Sequence, residues 1–209
     1  MTAVVVITAG ISQPSATRLL ADRLAAAVGG AFGNPSSDDL SIEIVELREY
    51  ARDLANNVVA GFPSPRLAAV IDRVTSADGL VAVTPIYTGS YSGLFKMFVD
   101  VLHPDVLEGT PVLIAATAGS ARHALALEHA MRPLFTYLRT VVVPTAVFAA
   151  TEDWASGGDL GARIERAAEE LTRLLRPAAA RPVDTAGQLD AEVIPFERLL
   201  AGQPASART

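Results

Sequence analysis

The sequence has 209 residues, is 50% hydrophobic and 19% charged, and carries a formal net charge of −6, which favours one compact domain and excludes a disordered chain. The acidic balance disfavours nucleic-acid binding, because phosphate backbones attract basic surfaces, and no apolar run approaches the ~20 residues of a membrane span. With no cysteine, disulfides, thiolate catalysis and cysteine zinc sites are excluded, and we expect a cytoplasmic protein without a signal peptide.

Apolar runs alternate with helical stretches along the chain. Short apolar runs predict five strands, over Ala3–Thr8, Ser41–Leu47, Gly79–Thr84, Pro111–Thr117 and Val141–Phe148. Apolar residues at helical spacing predict five helices, over Ala16–Val28, Arg66–Ala77, Leu94–Leu102, Arg122–Leu138 and Leu160–Leu175. We expect Pro85 to stop the third strand, Pro144 to kink the fifth or place it at an edge, and Gly29–Asp39 to form a surface loop.

This alternation predicts an α/β fold with an open parallel sheet and helices on both faces. A closed barrel of eight units would need roughly 250 residues. In open sheets of this kind, ligands bind beyond the carboxyl ends of the strands, where the strand order reverses. The loops after the first, third and fourth strands are therefore the places to look for a site.

The chain after Arg176 differs from the body. Residues 177–209 contain several prolines and little periodic pattern, so we predict a domain over residues 1–176 followed by a C-terminal tail. The segment Val193–Leu200 is too apolar for a free tail. It either packs back on its own domain or docks on another subunit.

The first loop, after Thr8, crowds hydroxyl groups at the start of a helix. Ser12, Ser15 and Thr17 lie where a helix N-terminus offers free backbone N–H groups and the positive end of its dipole, which favours a phosphate. The alternative is an ordinary helix cap by Ser15. The loop has neither the glycine–lysine pattern of a P-loop nor the glycine pattern of a dinucleotide site.

The loop after the third strand combines rigidity with an aromatic surface. Pro85 stiffens the turn, and Tyr87 offers a flat face with a polar tip that suits a heteroaromatic ring. The alternative is a hairpin-like loop whose aromatic residues cap the core. A nucleophile elbow is excluded, because Tyr91 stands where that motif requires serine.

The loop after the fourth strand, Thr117–Ser120, consists of small residues that let a ligand approach the backbone closely. Ser120 is a candidate cap for the next helix, and His123 would lie in that helix's first turn, where a structural histidine is the simpler interpretation. The only other histidines are His103 and His129, which do not show the spacing of a paired metal site, so we expect no metal.

Together these segments resemble the flavodoxin-like NAD(P)H-dependent FMN reductases. The resemblance is carried by the first loop and by Thr84–Tyr87, Ser92–Lys96, Thr117–Ser120 and His123, in matching order and spacing. It extends from Ala3 to about Leu175 and is nearest to the alkanesulfonate-system flavin reductases. The tail resembles that of an actinobacterial branch partnered with luciferase-like monooxygenases.

The resemblance implies a flavodoxin-like three-layer sandwich around a five-stranded parallel sheet of order 2-1-3-4-5, with FMN at its carboxyl edge. The residues that would hold the FMN phosphate are Ser12, Gln13, Ser15, Ala16 and Thr17. Those that would flank the isoalloxazine ring and ribityl chain are Pro85, Ile86, Tyr87 and Thr88. Those that would contact the ring from the third side are Thr117, Ala118, Gly119 and Ser120. Many members carry an arginine where this chain has Gln13-Pro14, which implies weaker, exchangeable FMN.

The implied reaction is hydride transfer from NADH or NADPH to flavin N5, with no catalytic side chain, because the protein supplies binding and orientation. Backbone N–H groups of residues 117–120 are our candidates for stabilising the negative charge of the reduced ring. The implied partners are a second copy, as a homodimer or homotetramer, and a monooxygenase that receives reduced FMN. Lys96 is either a helix-surface cation or a contact to the neighbouring subunit. In some relatives the position of His129 belongs to an inserted helical bulge.

Other functions on the same fold stay open. A quinone or azo-dye reductase would differ only in its second acceptor, which the motifs do not identify. A flavodoxin electron carrier would hold FMN tightly, but the first loop lacks the threonine-rich pattern of such carriers. An interaction module without a nucleotide is a further alternative.

Overall fold

The structure is a computed structural model that describes residues 1–33, 39–154 and 159–176. The strands are β1 Thr2–Thr8, β2 Leu40–Glu46, β3 Gly79–Tyr87, β4 Ser90–Tyr91, β5 Pro111–Ala118, β6 Val141–Val142 and β7 Val147–Ala150. The α-helices are α1 Ala16–Phe32, α2 Ala51–Ala60, α3 Pro65–Thr75, α4 Gly93–Asp100, α5 Arg132–Tyr137 and α6 Asp159–Leu175. Short 3₁₀ helices cover Leu47–Tyr50, Ala121–His123 and Thr151–Trp154, and a π-helical turn covers Leu127–Met131.

The strands form a parallel sheet in the order β2-β1-β3-β5, with β6 and β7 side by side with the start and the end of β5. The predicted order 2-1-3-4-5 and the flavodoxin-like class are confirmed, since β5 is the predicted fourth strand and β6 with β7 is the predicted fifth. The described residues form seven strands rather than five, because the fifth is broken in two and a short β4 pairs antiparallel with the end of β3.

Alternation along the central strands builds two cores, one on each face of the sheet. Val4 and Val6 of β1 pack with α1 and α6, whereas Val5 and Ile7 pack on the other face with α2, α3, α4 and α5. These strands are apolar on both faces, as parallel strands covered by helices are. The result is the predicted three-layer sandwich.

The prediction that Pro85 stops the third strand is wrong. β3 continues to Tyr87, and Pro85 pairs with Thr117 of β5. The carbonyl of Val83 accepts from Ala9 on the β1 side, so alternation points the ring nitrogen of Pro85 to that same side, where β1 has already ended. The missing N–H therefore costs no hydrogen bond between strands, and the strand can extend.

The break in the fifth strand lies at Pro144, where we predicted a kink. Val143 still donates to Val112 at 2.9 Å, but the next groups bond to side chains. Arg132 donates to the carbonyls of Val143 and Pro144 at 3.0 and 3.1 Å, and Glu170 accepts from the N–H of Thr145 at 2.7 Å. These side chains replace the hydrogen bonds that a continuous strand would have made.

The predicted single helix over Arg122–Leu138 is also wrong. The segment consists of a 3₁₀ turn, the π-helical turn and α5, and His129 lies in the π-helical turn. Pro133 has no N–H for a continuous helix, and it stands in the first turn of α5, where that donor would have no partner. Because the π-helical turn ends at Met131 and α5 begins at Arg132, the proline falls in the first turn of α5.

Two further elements differ from the predictions. The helix α2 was not predicted, because its buried positions are only Leu54 and Asn57, which do not form an apolar stripe. The helix α1 runs on to Phe32 into the predicted loop Gly29–Asp39, of which residues 34–38 lie outside the described residues. The tail over residues 177–209 also lies outside them, so the domain boundary stays a prediction. No described helix is both long and apolar enough to cross a membrane.

Candidate functional site

The loops after β1, β3 and β5 meet in one cleft of ≈ 320 Å³ at the carboxyl edge of the sheet. Its lining consists of Ser12, Ala16, Thr17, Pro85, Ile86, Tyr87, Thr117, Ala118, Gly119, Thr151 and Trp154. A cleft of this size is within the range of small-molecule sites. Of the residues predicted to bind a ligand, the structure places Gln13, Ser15, Thr88 and Ser120 outside this lining.

The first loop leads into α1, whose N-terminus faces the cleft. Ser15 caps the helix, because its Oγ accepts from the N–H of Arg18 at 3.2 Å and its carbonyl accepts from Leu19 at 3.0 Å. The capping interpretation of Ser15 is therefore correct. A single cap satisfies one donor of the first turn, so the N–H groups of Ala16 and Thr17 remain for a ligand or water.

The first loop is also tightly curled. A Cβ atom built on Gly10 would lie far inside van der Waals contact with the Ser15 hydroxyl, so a side chain there would displace the group that caps α1. At the base of the loop, the buried hydroxyl of Thr8 has no hydrogen-bond partner among the described residues. The loop thus holds polar groups close to the start of α1.

Two buried hydroxyls connect the first loop to the end of β5. The Oγ1 atoms of Thr17 and Thr117 lie 2.8 Å apart, and both side chains are buried. This hydrogen bond joins the start of α1 to the end of β5, so the first and third segments are connected at the cleft.

The loop after β3 is a hairpin with its tip at Thr88 and Gly89. Both tip residues have positive φ, 51° and 82°, as the two-residue turn of a hairpin requires. Tyr91 packs on Phe95, with ring centroids 6.0 Å apart, while the Tyr87 side chain is 47% exposed beside the cleft. The hairpin interpretation is confirmed, with Tyr91 packed against the core, whereas Pro85–Tyr87 line the cleft and their contact with a heteroaromatic ring stays a prediction.

The third segment ends in a capped turn. Ser120 accepts from the N–H of Arg122 at 3.2 Å, which confirms it as the cap of the next helical turn, and Ala121 donates to Glu152 at 3.3 Å. His123 lies on the exposed surface of that turn. The small residues Thr117, Ala118 and Gly119 before it line the cleft.

Two lining residues were missed by the sequence analysis. Thr151 and Trp154 come from the 3₁₀ helix after β7, so a fourth loop contributes to the cleft. The guanidinium of Arg23 lies 5.0 Å from the centre of the Trp154 ring and fixes it against α1. The signal was present, since the only tryptophan of the chain follows the predicted fifth strand.

The sequence analysis also missed a charged group behind the first loop. Glu46, the last residue of β2, forms ion pairs with both Arg18 and Arg48. Asp22 also pairs with Arg18, and its hydrogen bond raises the pKa of that guanidinium. Two arginines from outside the first loop therefore lie behind it, and two carboxylates balance their charges.

Comparison with known proteins agrees with this geometry. Residues 2–155 match the family described as NADPH-dependent FMN reductase. The chain is 36% identical over 175 residues to an FMN reductase (NADPH) of Pseudomonas aeruginosa, covering 82% of this chain and 91% of the relative. It is 38% identical over 177 residues to the NADH-dependent FMN reductase SfnE of Pseudomonas putida, with the same coverages.

Solved structures show the same relationship. An oxidoreductase from Corynebacterium diphtheriae is 46% identical, with a TM-score of 0.80 over 84% of this chain and 97% of the other. The apo form of an NADH:FMN oxidoreductase, EmoB, is 27% identical, with a TM-score of 0.72 over 87% of this chain and 92% of the other. The chain therefore belongs to the NADPH-dependent FMN reductase family, whose members use FMN with NADH or NADPH.

Proposed function

We propose that the protein binds FMN in the cleft at the carboxyl edge of the sheet, reduces it with NADH or NADPH, and passes reduced FMN to a flavin-dependent monooxygenase. The observation that carries the proposal is the convergence of the three predicted loops on one cleft, with a helix N-terminus at one end and flat apolar side chains at the other. Family membership supports the same activity.

The end of the cleft at the start of α1 carries hydrogen-bond donors that suit a phosphate group. The first-turn N–H groups of α1 and the hydroxyls of Ser12 and Thr17 are neutral donors beside the positive end of the helix dipole. Gln13 and Ser15 complete the proposed group from the outer side of the loop, where Ser15 fixes the start of the helix. Among the described residues, the arginines behind this end are paired with carboxylates, which agrees with exchangeable binding.

The other end of the cleft fits a planar heteroaromatic ring. Pro85 and Ile86 are buried and present an apolar wall, and Tyr87 and Trp154 add aromatic surface on either side. Thr88, at the hairpin tip, and Ser120, at the capped turn, stand at the rim as the outermost proposed contacts. Ala118 and Gly119 are small enough for the ring edge to approach the backbone.

Bound FMN supplies the ring that accepts a hydride from the nicotinamide. The protein residues bind and orient: the two ends of the cleft fix the position of the ring, and the open side admits a second planar molecule. We assign no general acid or base. The backbone N–H groups of residues 117–120 are the proposed donors to the ring edge on which negative charge develops.

Delivery to a monooxygenase rests on the resemblance to the alkanesulfonate-system flavin reductases. An enzyme whose product is a free reduced flavin must release it, and a phosphate site without an unpaired cation favours release. A homodimer or homotetramer and a cytoplasmic location belong to the same proposal.

Purified protein, freed of flavin, would be mixed with NADH or NADPH and increasing free FMN, then with FAD, riboflavin or a quinone. We expect nicotinamide oxidation to saturate with FMN and little flavin to remain on the protein after gel filtration. Turnover with a quinone that exceeds turnover with free FMN would instead identify a quinone reductase. Retained FMN without nicotinamide turnover would identify an electron carrier.

A further inference from the structure

Arg48 lies behind the first loop and does not line the flavin cleft. It belongs to the 3₁₀ helix after β2, and it lines a separate depression of ≈ 290 Å³ on the other side of the loop. Ser12 borders both spaces, so the loop is the wall between them. Anything that fixes this wall from behind also fixes the donors on its cleft side.

The Arg48 guanidinium binds the loop at two points. Nη1 donates to the carbonyl of Ser12 at 3.3 Å. With its amide oxygen facing the guanidinium, Gln13 accepts from Nη2 and Nη1 at 2.7 and 2.8 Å. Such a two-pronged contact needs the planar fork of arginine, which lysine does not have.

Glu46 holds the guanidinium in place from the opposite side. Its Oε2 lies 2.8 Å from Nη2 of Arg48, and both side chains are mostly buried, with exposures of 15% and 21%. Because β2 pairs with β1 in the register Thr8 with Glu46, this carboxylate stands directly beside the start of the first loop. Arg48 is thus tied to the sheet and to the loop at once.

The charges in the depression exclude a simple anion site there. Arg18 and Arg48 face the carboxylates of Asp22 and Glu46, so the formal charges of the cluster cancel. A buried arginine that is already paired has little net attraction left for a second anion. Its remaining donors are used for the loop.

From these contacts we propose that Arg48 is a positioning residue, which holds the first loop in the shape that binds the FMN phosphate without touching the phosphate itself. The inference rests on the proposed function, since it assigns the phosphate to this loop. It adds a residue outside the cleft whose fork geometry, rather than its charge, determines flavin affinity.

The test compares Arg48→Met and Arg48→Lys with Arg73→Met. Arg73 forms a matched pair with Glu43 of β2, at 2.9 Å, but away from the first loop. Dissociation constants of FMN and of riboflavin, which has no phosphate, would be measured by flavin fluorescence on flavin-free protein at several salt concentrations. Amide hydrogen exchange of residues 9–15 would be followed in the same proteins without flavin.

We expect Arg48→Met to weaken FMN binding about tenfold, because one anchor made by a charged group is lost. Riboflavin binding should weaken much less. Arg48→Lys keeps the charge of the cluster, so it should weaken FMN binding as Arg48→Met does while its salt dependence stays that of the wild type, and the loop amides should exchange faster in both variants. In turnover, KM for FMN should rise while kcat stays the same. Arg73→Met should change the FMN affinity by less than about twofold.

A double-mutant cycle with Gln13→Ala tests the route. If Arg48 acts through the loop, the double variant binds FMN about as weakly as Arg48→Met alone. Independent, additive losses would overturn the inference, as would full affinity in Arg48→Lys, or equal affinity in Arg48→Met and Arg73→Met. Wild-type protein that binds no FMN would overturn the proposed function as well, which separates the two failures.

Discussion

Ser15 lies where the cap of α1 and the proposed phosphate position are close together. Its hydroxyl caps α1, and the same residue stands beside the first-turn N–H groups that we assign to a phosphate. Aspartate and asparagine are both good caps, and they have the same shape. They therefore separate the requirement for a cap from the effect of a charge.

We expect Ser15→Asp to weaken FMN binding by about tenfold or more, because a carboxylate would lie close to the phosphate at moderate dielectric screening. Ser15→Asn is the control, since it brings the same bulk into the crowded space beside Gly10 without the charge. Fluorescence titration with FMN and riboflavin measures both. Equal FMN affinities in the two variants would argue against a phosphate at this helix start.

At the scale of elements, the π-helical turn and the broken fifth strand depend on one arginine. Arg132 donates to the carbonyls of Val143 and Pro144, and it forms an ion pair with Glu128 one turn earlier. Arg132 therefore supplies hydrogen bonds to the two carbonyl groups between β6 and β7. Removing the guanidinium would leave these groups without their donor.

We expect Arg132→Met to lower the free energy of unfolding by about 1–3 kcal/mol, the cost of losing hydrogen bonds made by a charged group. Urea unfolding at neutral pH measures it. Arg139→Met, which removes pairs between well-exposed side chains, should cost no more than about 0.5 kcal/mol. A loss no larger than that of Arg139→Met would show that the break does not need the arginine.

Part of this loss should depend on pH. The hydrogen bond from Arg132 lowers the pKa of Glu128 from its ordinary value. A lowered pKa in the folded state gives stability that is present above the ordinary carboxyl pKa and disappears as the pH falls through the lowered one. The difference in the free energy of unfolding between wild type and Arg132→Met should therefore shrink in acid. The difference that remains there measures the hydrogen bonds to the two carbonyl groups.

The elements that the sequence did not predict have particular physical causes. Pro85 is tolerated in β3 only because β1 ends before it. Where a neighbouring strand ends cannot be predicted from the residues around the proline alone. Helix α2 buries too few apolar side chains to show a clear period. Arg48 is a long-range partner of Gln13, and local motifs contain no information on such pairs.

What the sequence did predict follows from short-range rules. The apolar runs of β1, β3 and β5 are buried on both faces, so their composition alone identifies central parallel strands. The carboxyl ends of such strands lie at one edge, which placed Ser12, Tyr87 and Gly119 in the same region. The fourth contributing loop, with Trp154, follows β7, the second half of the broken fifth strand, and no motif in the sequence marked it.

At the scale of the whole molecule, the residues that the structure describes in the two cores all precede Arg176. On one face α1 and α6 cover the sheet, and on the other the helices from α2 to α5 do so. A domain with both faces of its sheet covered should be able to fold by itself. This is the physical basis for our division into residues 1–176 and a tail.

We expect a chain that ends at Arg176 to unfold cooperatively within a few degrees of the full-length protein and to bind FMN with similar affinity, because the cleft and both cores remain. Thermal unfolding by circular dichroism and flavin titration measure this, with the full-length chain as the control. An insoluble or molten product would show that the tail belongs to the folding unit.

The hydrogen bond between Thr17 and Thr117 has a practical consequence for anyone who wishes to redesign the protein. Under the proposed function, changing which phosphate-bearing side chain of the flavin is accepted and changing the reduction potential of its ring would be separate engineering tasks, since they concern opposite ends of the ligand. Because one of these two hydroxyls must donate and the other accept, changing either one affects both ends, and the two tasks become one. Mutant libraries that vary positions 17 and 117 together should yield more working proteins than libraries that vary either alone.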